Sequence, residues 1–133
     1  MKTTTFYFSE EENLHFAGVK KKAEENLAAL CLLEELEASG LPATPDQQET
    51  LIRYTGWGNT AVYKHAADEL DGMLDIPTLN ALKASMLNAH YTSLEIIRAI
   101  WQGVSQVFDA GMKEPHILDP SAGIGHFRSL LPE

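Results

Sequence analysis

The stretch VKKKAEENLAALCLLEELEAS, residues 19–39, decides the fold class. It is rich in Ala, Leu, Glu and Lys, which have high helix propensity. Its apolar residues recur at steps of three and four, so they share one helix face. These residues are Ala23, Leu27, Leu30, Leu33 and Leu36. Gly40 favours a left-handed C-terminal stop and Pro42 prevents continuation. We therefore expect a helix over 19–39 at the centre of a mainly α-helical protein.

Two further helices are predicted on either side of the middle of the chain. In TPDQQETLIRY, residues 44–54, Thr44 can cap a helix and Gln47 has the spacing that completes a capping box. In HYTSLEIIRAIWQGVSQVF, residues 90–108, Thr92 and Glu95 have the same spacing. A broad apolar face follows, and the pattern predicts a helix over 93–109.

The turn GWG, residues 56–58, combines two glycines with a large aromatic side chain. We expect Trp57 in the core, although a role for this side chain in binding a partner stays open. The segment after it contains four carboxylates that predict a solvated acidic edge. They are Asp68, Glu69, Asp71 and Asp75.

Short strands are expected at the two ends of the chain. TTTFYF, residues 3–8, is β-branched and aromatic, and HILD, residues 116–119, is a short apolar run. The expected fold is therefore a single domain over 1–133, mainly α. It has a helical part at 17–110, one or two short strands, and an incomplete Rossmann-like β-loop at 116–133.

Composition favours a soluble cytosolic protein. No apolar run approaches the roughly 20 residues of a membrane span, no signal peptide is recognisable, and the single Cys31 cannot form an intramolecular disulfide. The 19 acidic and 10 basic residues give a net charge of -9. Direct binding to DNA by the isolated chain is therefore not expected, because such binding depends on Lys and Arg. The same charge is also common among soluble proteins and can serve solubility alone.

The stretch ILDPSAGIGHF, residues 117–127, has the pattern of a nucleotide-like ligand loop. An acid after an apolar run can accept hydrogen bonds, and glycines let backbone amides approach a ligand. Other chemistry is less well supported, because the five histidines have no metal-ligand spacing and no hydrolase serine elbow is present. Each histidine is expected to be structural or on the surface, and Cys31 is expected to be buried and inert.

ILDPSAGIGHF resembles the methyl-donor motif of adenine-specific DNA methyltransferases, and NAHYTSLEIIRAIW, residues 88–101, looks like the segment that precedes it in those enzymes. With LIRYTGWG, the order over residues 20–133 is similar to the N-terminal region of large methyltransferase-helicase proteins of phages and conjugative elements. The resemblance implies that seven residues line S-adenosylmethionine. They are Tyr91, Thr92, Asp119, Pro120, Ala122, Gly123 and Gly125.

The chain departs from that family pattern in three ways. Leu94 stands where a proline is expected, and His126 replaces a small or amide side chain. The adenine-binding motif, an Asn, Asp or Ser followed by two prolines and an aromatic residue, is absent from the 133 residues. Because a flipped base needs its own pocket, the chain alone is expected to be non-catalytic. No cofactor is expected for the isolated chain, and S-adenosylmethionine is the expected cofactor if the motif is functional.

Three hypotheses of function follow. The first is a non-catalytic, methyltransferase-derived inhibitor whose acidic surface binds a protein partner, a CRISPR effector or restriction enzyme, by charge complementarity. The second is the S-adenosylmethionine-binding piece of a split or longer adenine methyltransferase. The third is an assembly module that presents Trp57 to a partner helix.

Overall fold

The computed structural model describes residues 6–8, 17–88, 90–108 and 116–131, and it confirms a mainly α-helical fold. The described residues contain seven helices. These are α1 Val19–Ser39, α2 Pro45–Ile52, α3 Thr60–His65, α4 Ala67–Met73, α5 Ile76–Ser85, α6 Leu94–Phe108 and α7 His126–Ser129.

Helix α1 has the predicted bounds. Gly40 ends it in the left-handed conformation with φ of 64°, and its N–H donates to the Leu36 carbonyl at 2.9 Å. The buried residues of the helix are Ala23, Asn26 and Ala29. Cys31 lies on the opposite side of α1 and is exposed, so the expectation of a buried thiol was wrong.

Hydrogen bonds of the caps define the starts of α2 and α6. The Thr44 hydroxyl accepts from the Gln47 N–H at 3.3 Å, and the Gln47 side chain accepts from the Thr44 N–H at 2.9 Å, which confirms the capping box. In α6 the cap is Ser93, whose hydroxyl accepts from the Ile96 N–H at 3.2 Å. The cap is therefore one residue later than the predicted Thr92, and it is a single side-chain cap instead of a capping box, because Ile96 has no group that can bond back to Ser93.

The helices enclose two clusters of buried apolar side chains. The first core lies under α1, α3 and α4 and contains Ala23, Trp57, Val62, Ala66 and Leu70. The second core lies between α6, α7 and the end of α2 and contains Phe8, Ile52, Leu94, Ile97 and Trp101. Burial of these side chains supplies the main driving force for folding.

Neither predicted strand forms within the described residues. Residues 116–119 are irregular, residues 6–8 are irregular as well, and residues 3–5 lie outside the described part. The Phe8 N–H donates to the Ser129 carbonyl at 3.0 Å, next to α7 and away from 116–119. A strand requires a hydrogen-bonded neighbour, and no residue that the structure describes pairs with the backbone of 116–119. The β part of the Rossmann-like prediction was therefore wrong for the described chain.

Candidate functional site

The glycine loop, residues 119–125, is a tight irregular turn between the segment 116–118 and α7. One carboxylate oxygen of Asp119 accepts from the Ser121 N–H at 3.0 Å, and the Gly125 N–H donates to the Ala122 carbonyl at 2.8 Å. Gly123 and Gly125 adopt positive φ values of 54° and 90°. Both positions therefore need glycine for their backbone conformation.

The ring of Tyr91 packs against the glycine loop at Gly123. A Cβ atom at Gly123 would lie 3.2 Å from Cε1 of the Tyr91 ring, closer than side chains normally approach. Glycine is thus required here for close approach as well as for φ. The fold brings the segment before α6 onto the loop through Tyr91, whereas Thr92 is exposed beside it.

Several loop residues remain accessible to a ligand. Asp119, Pro120, Ala122 and Gly123 are exposed, and a Cβ atom at Gly125 would meet no atom within 4 Å. The Asp119 carboxylate has a second oxygen beyond the one that holds Ser121. The loop therefore fits a ligand that needs a carboxylate acceptor and close access to the backbone.

Helix α7 anchors the end of the loop to the helical part of the chain. Nε2 of the buried His126 lies 2.8 Å from the Ile52 carbonyl at the end of α2. The Trp101 indole N–H of α6 donates to the Phe127 carbonyl at 2.9 Å. The buried His126 therefore joins the end of the glycine loop to α2, as expected for a structural histidine.

Aromatic rings connect the loop to the turn after α2. The Tyr91 ring contacts Tyr54 and His126 edge to face, with 5.8 Å between centroids in both pairs. The Tyr54 ring also contacts Trp57 at 6.4 Å. Burial, together with the nearby Tyr91, raises the pKa of Tyr54 to about 12, and burial raises the pKa of Tyr91 as well. Both phenols are therefore neutral hydrogen-bonding groups at neutral pH.

Asn26 fixes the turn that carries Tyr54 and Trp57, and sequence reasoning missed it. The Asn26 amide is fully buried; its nitrogen donates to the Gly56 carbonyl at 2.8 Å, and its oxygen accepts from the Thr55 N–H at 2.8 Å. An asparagine three residues after Ala23, on the apolar side of α1, was the available signal. A polar side chain on a buried face must find partners.

A cavity of about 570 Å³ lies behind the glycine loop, between α1, α2 and α7. Its walls are mostly aliphatic and aromatic, with Gly125 and Arg128 contributed by the loop and α7. Tyr54 lines it from the turn after α2. The cavity thus adjoins the loop on the side where Ile124 and Gly125 lie.

The predicted partner-binding residues do not form one surface. Asp68, Glu69 and Asp71 are exposed on α4. Asp75 is exposed too, but its carboxylate caps α5 by accepting from the Thr78 N–H at 2.9 Å, and these hydrogen bonds with Thr78 lower its pKa. Trp57 is only 1% exposed, which confirms the expected core position, and its burial does not support the alternative of a surface contact.

Similarity to known proteins does not identify this site. No family model, curated protein or solved structure matches the chain. Within the described ranges, no group of three or more His, Cys, Asp or Glu side chains could hold a metal ion. Among those same residues, no helix combines the length and apolar character needed to cross a bilayer. The geometry of the glycine loop is therefore the basis for a functional proposal.

Proposed function

We propose that the chain binds S-adenosylmethionine at the glycine loop, as the methyl-donor-binding part of an adenine DNA methyltransferase. The observation that carries the proposal is the contact of Tyr91 with Gly123. Two segments 32 positions apart, both selected by their resemblance to such enzymes, meet at a glycine, and a Cβ atom there would lie 3.2 Å from the Tyr91 ring. A ligand at this loop would touch both segments at once.

The chain's own residues supply binding and orientation. The exposed carboxylate of Asp119 accepts hydrogen bonds from the ligand, and the loop backbone at Gly123 and Gly125 allows close approach. Tyr91 and Thr92 border the ligand from the segment before α6. S-adenosylmethionine itself supplies the activated methyl group when it is bound.

Binding of adenine is assigned to a different segment or polypeptide. Transfer to a base needs a pocket for the extruded nucleotide, and a nucleotide-binding sheet needs several strands. Ile117 and Leu118, directly before the loop, are 52% and 88% exposed, which leaves apolar side chains for further strands to cover. The proposal therefore concerns a methyl-donor-binding element that works together with a base-binding partner.

Isothermal titration with S-adenosylmethionine tests the proposal. We expect binding in the micromolar range by the wild-type chain and a loss of at least about tenfold in Gly123→Ala, because the new methyl group meets the Tyr91 ring. Gly40→Ala is the matched control, since Gly40 has a similar φ of 64° with no atom near the added Cβ. Both variants lose stability, but only Gly123→Ala should lose affinity. Equal affinities in all three proteins, or no binding by the wild type, would refute the site.

A second candidate is an acidic inhibitor of a defence nuclease. The exposure of Asp68, Glu69 and Asp71 on one short helix favours it, because exposed carboxylates can complement a basic nucleic-acid channel. Charge reversal at these three positions should weaken binding to a purified effector, and added salt should weaken it further. Binding that is indifferent to both changes would exclude the electrostatic mechanism.

A further inference from the structure

Tyr54 packs against Tyr91, the residue that contacts the glycine loop at Gly123. Its ring packs edge to face on the ring of Tyr91, with centroids 5.8 Å apart. Tyr91 in turn lies within 3.2 Å of the Cβ position of Gly123. The position of the Tyr54 ring therefore affects how firmly Tyr91 is held against Gly123.

The backbone on both sides of Tyr54 is held by hydrogen bonds. On the N-terminal side its own N–H donates to the Leu51 carbonyl at 3.2 Å. On the C-terminal side, Thr55 and Gly56 are both hydrogen-bonded to the buried amide of Asn26. Helix α1, which carries Asn26, thereby sets the position of a ring that contacts the loop cover.

Tyr54 contacts both the ring of Tyr91 and the cavity behind the loop. Tyr54 lines that space of about 570 Å³ together with Gly125, whereas Tyr91 does not reach it. Removal of the Tyr54 ring would leave space beside Tyr91, next to this cavity. Of its two aromatic neighbours in the described part of the chain, Tyr91 would then keep only His126, which leaves its ring less firmly held against Gly123.

The geometry points to Tyr54 as a positioning residue for the methyl donor. It holds Tyr91 against Gly123, and Asn26 holds Tyr54. This inference rests on the proposed binding of S-adenosylmethionine and extends it from the loop to α1 and the YTGWG turn, residues 54–58. The ring of Tyr54 matters for this role, while its hydroxyl does not.

Three variants of the full chain test this role by isothermal titration with S-adenosylmethionine. Tyr54→Leu should weaken binding by about tenfold, since the aromatic support of Tyr91 is lost. Tyr54→Phe keeps the ring and should bind within about twofold of the wild type. Tyr63→Leu is the matched control, because Tyr63 packs against the same first core and its loss costs stability without removing the ring behind Tyr91. Thermal unfolding of each variant reports any general loss of folding.

The outcomes separate this inference from the proposed function. The positioning role is supported if Tyr54→Leu loses affinity while Tyr54→Phe and Tyr63→Leu both bind like the wild type. Wild-type binding that Tyr54→Leu leaves unchanged overturns the role of Tyr54 and leaves the proposed function standing. Absence of binding to the wild-type chain overturns the proposed function and the inference together.

Discussion

At the scale of single residues, the amide of Asn26 joins α1 to the turn after α2. It is fully buried and bonded to Thr55 and Gly56 on the other side of the first core. Polar groups are buried at a cost that only well-placed partners offset. One side chain therefore determines where Tyr54 and Trp57 lie.

Asn26→Ala should destabilise the protein by about 2–4 kcal/mol, because the buried Gly56 carbonyl and Thr55 N–H would lose their partners. Urea unfolding followed by circular dichroism measures this difference. Asn80→Ala is the control, since Asn80 is exposed on α5, and it should change stability by less than about 0.5 kcal/mol. A similar effect of the two substitutions would show that the Asn26 hydrogen bonds contribute little.

Ionisation of the Tyr54 phenol should destabilise the folded protein at alkaline pH. Its pKa is about 12 in the folded chain and 10.0 is its ordinary value, so the folded state holds this proton more tightly than the unfolded state. The stabilisation is complete below pH 10 and is lost as the pH rises toward 12. Because Tyr54 is partly exposed, this contribution to the free energy of unfolding is on the order of 1 kcal/mol. Chemical unfolding at several pH values should show a shallower decline for Tyr54→Phe, and identical slopes would contradict the burial of the hydroxyl.

At the scale of elements, local chemistry determined what could be predicted. The periodicity of α1 and the caps at Gly40 and Thr44 act within a few residues, so the bounds of these helices follow from sequence alone. The resemblance selected both the glycine loop and Tyr91, and the fold brings them into contact, while their role in binding S-adenosylmethionine stays a prediction. The strand predicted at 116–119 does not form. Whether an apolar segment becomes a strand depends on a hydrogen-bonded neighbour, which local sequence does not reveal. The burial of Asn26 could be inferred from its place on the apolar side of α1, but its partner Gly56, 30 positions away, could not be identified from the sequence.

The capping box of α2 should contribute measurably to folding. Thr44→Ala removes the hydroxyl that accepts from Gln47, and we expect a loss of about 1 kcal/mol in the free energy of unfolding. Thr60→Ala is the matched control, because Thr60 is an exposed first residue of α3 whose cap is the Asn59 side chain. Urea denaturation should separate the two variants. A loss in Thr60→Ala as large as in Thr44→Ala would argue against a specific role for the cap.

At the scale of the whole molecule, the acidic net charge disfavours direct binding to nucleic acid. The net charge is -9, and two of the three clustered lysines pair with glutamates one helical turn away: Lys20 with Glu24 and Lys21 with Glu25. The basic cluster on α1 is thus partly neutralised, and phosphate binding depends on such cations. Under the proposed function, a basic partner would therefore have to bring the chain to DNA.

The isolated chain should not bind duplex DNA at about 0.15 M ionic strength, where electrostatic attraction is screened within roughly 8 Å. Fluorescence anisotropy of a labelled duplex measures this directly, and we expect no change on addition of the protein. Saturable binding that weakens with salt would show that a basic surface outweighs the net charge.

Amide signals in a two-dimensional NMR titration with S-adenosylmethionine test the proposed site most directly. We expect the signals of Gly123 and Gly125 to shift together with that of Tyr91, because the ligand would lie on the loop and its aromatic cover. The signals of Gly40 and Gly72 should stay in place, since both glycines lie outside the loop, at the end of α1 and within α4. Shifts confined to residues away from 119–125, or no shifts at saturating ligand, would contradict a methyl-donor site at the glycine loop.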